Sequence, residues 1–141
     1  MKAFLDTSVL VATFYATHEH HESSFNLFLS LDKRTGCTAA HCLTEIYATL
    51  TGMPGKDRVT GDEALLFLGN VRDRLTIVAL EPEECFDAID AANGVGVLGG
   101  GIYDALIGHS ALKVRAQIIY TWNMKHFKRL VPDVASRVRT P

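Results

Sequence analysis

The chain has 141 residues, a net charge of −2 and a hydrophobic content of 48%, which is typical of a globular protein. This length suits one domain over residues 1–141 with a substantial core. No apolar run approaches the roughly 18–20 residues that a membrane span needs, and Asp6 interrupts the apolar N-terminus where a signal peptide would continue. We therefore expect a cytoplasmic protein with no membrane partner.

The cysteines support the same location. Cys37, Cys42 and Cys85 form an odd set without a CxxC motif. Structural disulfides come in pairs and belong to oxidising compartments, so we expect three reduced thiols.

The C-terminal quarter of the chain is basic. Between residues 113 and 141 the only acid, Asp133, stands against seven Lys and Arg residues, although the whole chain carries −2. Such a segment suits contact with a polyanion such as nucleic acid. A solvated, charged end of the chain would have the same composition, so charge alone leaves both interpretations open.

Short apolar strands alternate with helical segments along the chain. Strands are predicted at residues 3–5, 36–38, 75–80 and 117–121, with a further edge strand near 134–138. Helices are predicted at residues 8–16, 25–31, 40–51, 60–71, 82–92 and 103–114, with a short one at 126–130. This alternation predicts an α/β protein with a mostly parallel sheet of about five strands and helices on both faces.

Three acids stand in apolar surroundings, where an isolated carboxylate is costly unless it is paired, hydrogen-bonded or bound to a metal. Asp6 ends the first strand, Glu45 flanks the apolar stripe of its helix, and Asp104 opens the helix before the fourth strand. Taken singly, each has an ordinary explanation. Asp6 could cap a helix, Glu45 could be solvated, and Asp104 could interact with a helix dipole.

Taken together, the acids predict a metal site. Asp6, Asp104 and the end of the fourth strand, residues 121–123, would converge on one edge of a parallel sheet, where α/β proteins bind ligands. Oxygen ligands without His or Cys favour Mg²⁺ or Mn²⁺ over zinc. Such a cluster serves phosphodiester hydrolysis, in which the metal activates water and stabilises the leaving oxygen.

Four segments carry a family resemblance: LDTSVL around Asp6, LTEIYATLT around Glu45, YDALIGHSAL around Asp104 and YTWNMKHF around Asn123. In this order they resemble the four motifs of PIN-domain proteins, and most closely the VapC-type toxin ribonucleases of toxin–antitoxin pairs. The resemblance covers essentially the whole chain. It implies a three-layer α/β/α sandwich, an endoribonuclease that uses Mg²⁺ or Mn²⁺, a cognate VapB-type antitoxin and a homodimer.

The resemblance also assigns site residues. Asp6, Glu45 and Asp104 would be the metal-binding acids, and Thr121 the hydroxyl beside the site. Asn123, where many relatives have Asp, would orient a water or a phosphate oxygen, because an amide cannot act as a base at neutral pH. His126 also stands where relatives often have Asp, and these two departures weaken the prediction of a second metal ion.

Residues 94–99, GVGVLG, match the GxGxxG pattern of dinucleotide-binding folds. That fingerprint requires a preceding strand at the start of the fold, whereas these residues follow a predicted helix late in the chain. We instead predict a glycine-rich loop beside the site, ahead of Asp104.

Two other functions remain open from the sequence. The chain could be a PIN nuclease of RNA processing or DNA ends outside a toxin pair, which the absence of a neighbouring antitoxin gene would favour. It could also be a PIN-like module that binds RNA or protein without cutting. The three acids oppose that interpretation, and Asn123 is the feature in its favour.

Overall fold

A computed structural model describes residues 2–141, which form a parallel sheet between two layers of helices. The strands are β1 (Ala3–Leu5), β2 (Gly36–Ala39), β3 (Thr76–Val78), β4 (Ile118–Tyr120) and β5 (Val138–Arg139). The helices are α1 (Thr7–Phe14), α2 (His21–Ser30), α3 (Ala40–Gly52), α4 (Gly61–Arg74), α5 (Pro82–Gly94), α6 (Gly101–Lys113), α7 (Met124–Lys128) and α8 (Pro132–Ala135). The predicted α/β/α sandwich with about five strands is confirmed.

The strand order is β3-β2-β1-β4-β5, and every neighbouring pair is parallel. The chain winds from β1 outward to β3, returns to the other side of β1 as β4, and ends at β5. The direction of winding therefore reverses between β1 and β4. Open α/β sheets bind ligands outside the carboxyl ends of their strands at such a switch point.

Side chains alternate along β1 and so divide the core into two halves. Ala3 and Leu5 pack with buried residues of α1 to α4, whereas Phe4 packs mainly with buried residues of α5 to α8. The sheet is thus covered on both faces, which is the usual condition of an all-parallel sheet. None of the helices in residues 2–141 is both long and apolar enough to cross a bilayer.

The chain's end differs from the prediction. Residues 134 and 135, predicted to begin the edge strand, lie in α8, and the edge strand is only Val138–Arg139. Pro132 occupies the first turn of α8, where its fixed φ favours a helix and its missing N–H costs nothing. Val134 is buried in this helical turn, and this burial explains the apolar position that was predicted to be strand.

Helix α2 is covered on one side only. Phe28 is buried, but Phe25 is 39% exposed and Leu29 is 48% exposed. One side of this helix is therefore covered by the protein, and the other side exposes apolar surface.

All three cysteines are free thiols, as predicted. Cys37 and Cys42 are buried, and this burial raises the pKa of each thiol to about 12. Both are therefore protonated and unreactive at neutral pH.

The glycine that begins β2 is predicted to be essential for packing. A Cβ at Gly36 would lie 2.8 Å from Leu75 Cδ2 and 2.9 Å from Leu31 Cβ. We expect Gly36→Ala to lower the free energy of unfolding by roughly 1–3 kcal/mol through overpacking. Urea denaturation measures this change.

The matched control is Gly69→Ala in α4, where an added Cβ meets nothing within 4 Å. It should raise stability by about 0.5–1 kcal/mol, because alanine favours the helix over glycine. Equal effects of the two substitutions would contradict the packing argument.

Candidate active site

The three predicted acids lie on segments that follow or precede the central strands. Asp6 comes directly after β1 and is the N-cap of α1; Glu45 lies in the second turn of α3, and Asp104 in the first turn of α6. The charges of Asp6 and Glu45 add to the effect of burial in raising the pKa of Asp104, so the three acids lie within electrostatic range of one another. The three acids therefore form one carboxylate cluster at the switch point.

Asp6 is the buried centre of this cluster, with 2% of its surface exposed. Its Oδ2 accepts hydrogen bonds from Thr121 Oγ1 at 2.8 Å and from Ser8 Oγ at 2.9 Å, with the Ser8 N–H at 3.4 Å. Burial raises the pKa of Asp6, and these hydrogen bonds partly oppose the rise. The Ser8 and Thr121 donors converge on Oδ2 and do not occupy Oδ1.

The same hydroxyl groups join the end of β4 to the end of β1. The Asn123 N–H donates to Thr121 Oγ1 at 2.9 Å, and the Trp122 N–H donates to Ser8 Oγ at 2.9 Å. The Asp6 N–H in turn donates to the Tyr120 carbonyl at 3.0 Å. This network fixes the backbone on both sides of the switch point around one carboxylate.

Glu45 is half-buried and is held by two side chains. Its Oε1 accepts a hydrogen bond from Thr7 Oγ1 at 3.0 Å and lies 3.8 Å from His41 Nε2. Burial is the main cause that raises the pKa of Glu45, and the Asp6 charge adds to it. The His41 ring stacks on the exposed Tyr103 ring, with centroids 5.5 Å apart and an angle of 11° between the planes.

Asp104 has the most clearly shifted carboxyl group. Burial and then the Asp6 charge raise its pKa to about 6, while nearby His126 opposes the shift. Asp104 Oδ2 lies 3.5 Å from His126 Nδ1, whose side chain is 62% exposed. In the absence of a cation, Asp104 therefore takes up a proton as the pH falls through about 6.

Asn123, the fourth predicted residue, is joined to the cluster through its backbone. It is the N-cap of α7, its side chain makes no capping hydrogen bond, and the residue is exposed. The Asn123 N–H donates to Thr121 Oγ1, and the Thr121 hydroxyl in turn donates to Asp6 Oδ2. A direct role of its amide group in the reaction stays a prediction.

The donor chemistry of the cluster fits a hydrated Mg²⁺ or Mn²⁺ ion. Within residues 2–141, no three His, Cys, Asp or Glu side chains lie close enough together to hold a single ion jointly. Mg²⁺ keeps several of its waters and usually binds through one or two carboxylates, so a looser arrangement suits it better than it suits zinc.

The structure adds four side chains that the sequence did not assign to the site. Thr7 and Ser8 were predicted only to start a helix, His41 was not assigned a role, and His126 was noted only as a departure from the fourth motif. The hydroxyl pair directly after Asp6 was the available signal, because the residues that follow a buried acid are the nearest possible donors. The contacts of His41 with Glu45 and of His126 with Asp104 depend on the packing of α3, α6 and α7, which local sequence does not show.

Trp122 is partly buried and packs against α2 and the segment before it. Its ring stacks on His20 with centroids 3.7 Å apart, and its indole N–H donates to Ser24 Oγ at 2.9 Å. The histidine-rich segment before α2 thus contributes a packing residue, and the described residues contain no His-based metal cluster.

The basic C-terminal quarter divides into structural and unpaired cations. Lys113 binds Glu84, Arg137 binds Asp133, and Arg139 donates to backbone carbonyls. Four other cations form no ion pair with any residue from 2 to 141. Arg115 follows α6, and three lie on α7 or directly after it: Lys125, Lys128 and Arg129. The cations available to a polyanion are therefore concentrated beside Asn123 and His126.

The burial of the Asp104 carboxyl group and its repulsion by the neighbouring charges predict a stability effect. Asp104 has a folded-state pKa of about 6, above its ordinary value of 3.8, so this group makes the metal-free protein less stable as the pH rises from 4 to 6. We expect Asp104→Asn in EDTA to raise stability at pH 7 by about 1 kcal/mol, since solvent screens part of the repulsion.

Thermal unfolding in EDTA at pH 4, 5, 6 and 7 measures this effect. The stability gain of Asp104→Asn should grow between pH 4 and 6 and then stay constant. A gain that is the same at every pH would show that ionisation of Asp104 in this environment is not its cause.

The sequence profile of the PIN domain matches residues 3–131 of this chain. "Ribonuclease VapC40" of Mycobacterium tuberculosis is 31% identical over 114 residues, which are 81% of this chain and 81% of that protein. The profile match spans all four predicted motifs, and the match to this ribonuclease covers most of both chains.

Solved structures show the same fold at lower identity. The M. tuberculosis toxin VapC20, described as cleaving the sarcin–ricin loop, has a TM-score of 0.72 at 17% identity and covers 89% of this chain and 92% of its own. DNA-bound VapBC from Salmonella typhimurium has a TM-score of 0.67 at 22% identity and covers 99% and 98%. The chain belongs to the PIN-domain family, where its relatives are VapC-type ribonucleases.

Proposed function

We propose that this protein is an endoribonuclease that depends on Mg²⁺ or Mn²⁺ and acts as the toxin of a toxin–antitoxin pair. The observation that carries the proposal is the cluster of Asp6, Glu45 and Asp104 at the switch point of a PIN domain. The names of the relatives agree with it, since one is a ribonuclease and another is a toxin that cleaves RNA.

Asp6 and Asp104 would hold the metal ion, and Glu45 would act on it through a coordinated water. When bound, the ion supplies positive charge that polarises the scissile phosphate and lowers the pKa of coordinated water. Ser8 and Thr121 keep the Asp6 carboxylate in place, and Thr7 does the same for Glu45. These hydrogen bonds fix the acids before substrate arrives, which reduces reorganisation during the reaction.

The remaining groups would act on the RNA itself. Lys125 and Lys128 on α7 would contact backbone phosphates, which gives affinity that depends on salt but carries no sequence information. Asn123 would orient a water or a phosphate oxygen through its amide. Its exposed position at the start of α7 leaves that amide open to a ligand.

A VapB-type antitoxin would complete the system. Several structural relatives are VapBC complexes, some of them bound to DNA. The exposed Phe25 and Leu29 of α2 offer apolar surface to such a partner, or to the second copy in a homodimer. Light scattering of the purified protein tests the homodimer.

The proposal predicts a metal-dependent loss of cleavage in site variants. Asp6→Asn and Asp104→Asn should each lower cleavage of total RNA in Mg²⁺ by roughly 100-fold or more, because changes even to groups that only support ligands cost 10–100-fold. The exposed Asp73 on α4 provides the matched control, and Asp73→Asn should cut at the normal rate. Gel analysis with Mg²⁺, Mn²⁺ or EDTA measures the rates.

Discrete fragments that require the metal and disappear in the site variants are the expected result. Wild-type rates in folded Asp6→Asn or Asp104→Asn would refute the site. Failure of the metal-loaded wild type to cut any RNA would refute the nuclease. In cells, expression of the wild type should arrest growth, and co-expression of the small protein encoded beside it should restore growth.

The raised pKa of Asp104 predicts a pH dependence of metal use. Below pH 6 a proton competes with the metal for this carboxylate, because a ligand must be deprotonated to bind. At limiting Mg²⁺, we expect cleavage to fall as the pH drops from 7 to 5 and to recover when Mg²⁺ is increased. A fall that extra Mg²⁺ does not reverse would contradict this explanation.

A further inference from the structure

A cavity of about 620 Å³ opens beside the carboxylate cluster and shares Asp104 with it. One wall is the glycine-rich loop between α5 and α6, and the other is α7 with the residues that follow it. Its lining includes Val95, Leu98, Gly100, Asp104, His126 and Arg129. A ligand in this cavity would therefore lie next to the group that is proposed to hold the metal.

The loop presents apolar side chains that the protein does not use in its core. Leu98 is 80% exposed and Val95 is 42% exposed. The loop takes its shape from Gly96 and Gly99, which have φ values of +77° and +59° that other residues rarely adopt. The loop therefore exposes apolar surface beside the polar carboxylate cluster. A flat apolar ligand could cover that surface.

The opposite wall is positively charged. His126 and Arg129 are three residues apart and both line the cavity, so they lie on the same side of this segment. The Arg129 guanidinium forms no ion pair with residues 2–141. A guanidinium in this position suits a phosphate group, which it can bind through two parallel hydrogen bonds.

We propose that this cavity binds one nucleobase of the RNA, beside the scissile phosphate, while Arg129 contacts a neighbouring phosphate of the same strand. The inference rests on the proposed function and names the part of the substrate that the site would select. A cavity of this volume lies in the range of small-ligand sites and admits a single nucleotide. RNA that is read by sequence generally presents unstacked bases to such pockets.

A filling substitution tests the cavity without disturbing the backbone. Gly100 lines the cavity, its φ is an ordinary −63°, and an added Cβ meets nothing within 4 Å. Gly100→Leu should therefore fold normally and occupy part of the space. Gly52→Leu is the matched control, because Gly52 also has open space around its added Cβ and lies at the far end of α3.

A second pair of variants tests the charge. Arg129→Gln and Lys128→Gln remove the same charge from adjacent positions, but only Arg129 lines the cavity. Arg129→Gln should weaken nucleotide binding at the cavity, where Lys128→Gln should not, and it should leave base preference unchanged because a phosphate contact carries no base information. Lys128→Gln should weaken RNA binding uniformly across sequences and leave base preference unchanged.

Two measurements apply to all four variants. The first is the binding of AMP, CMP, GMP and UMP to the metal-free protein, detected by NMR through chemical-shift changes of the backbone amides. This measurement does not require catalysis. The second is cleavage of a randomised RNA library in Mg²⁺ with sequencing of the ends. We expect one or more nucleotides to shift the amides of residues 95–101 and 126–129, and Gly100→Leu and Arg129→Gln to weaken that binding about tenfold.

The outcomes separate this inference from the proposed function. Loss of base preference in Gly100→Leu, but not in Gly52→Leu, supports the nucleobase site. Unchanged base preference in an active Gly100→Leu, without nucleotide-induced shifts at the cavity, overturns it and leaves the nuclease standing. Loss of antitoxin binding alone in Gly100→Leu also overturns it, in favour of a protein contact. Nucleotide binding at the cavity of a protein that cuts no RNA supports the site and refutes the nuclease.

Discussion

The burial of the Asp6 carboxylate at the end of β1 is the interaction on which the site depends. A carboxylate that is 2% exposed is costly, and the protein offsets that cost with hydroxyl donors from Ser8 and Thr121. Because Thr121 follows β4, the same bonds that satisfy Asp6 also tie together the two strands where the winding reverses. The chemistry and the topology of the sheet therefore share one hydrogen-bond network.

The neighbouring acids make the site unfavourable without a cation. Burial raises the pKa of both Glu45 and Asp104, and repulsion from the Asp6 charge raises each further, so the metal-free cluster opposes full ionisation. A bound divalent cation would remove this repulsion. The site thus resembles many active sites in which stability is reduced locally so that charge can be placed where the reaction needs it.

The segments around the cluster carry the positive charge and the apolar surface with which a nuclease can bind RNA. Positive charge is concentrated on α7, whereas the apolar surface lies on the glycine-rich loop before α6. Between these two walls lies the cavity that begins at Asp104. Contact with phosphates and selection of a base can therefore be separate functions of separate segments, although both act at one edge of the sheet.

The sequence by itself determined the class of the fold and the identity of the acids. Strand and helix periodicities are local properties, and a buried carboxylate at a strand end is visible in one short segment, as at Asp6. Local patterns could not distinguish a helical turn from a strand at residues 132–135, because a buried Val134 serves either. Only the tertiary structure decided which side chains support the acids. Thr7 reaches Glu45 across 38 residues and Thr121 reaches Asp6 across 115, and contacts between such distant positions arise from the packing of elements and not from local sequence.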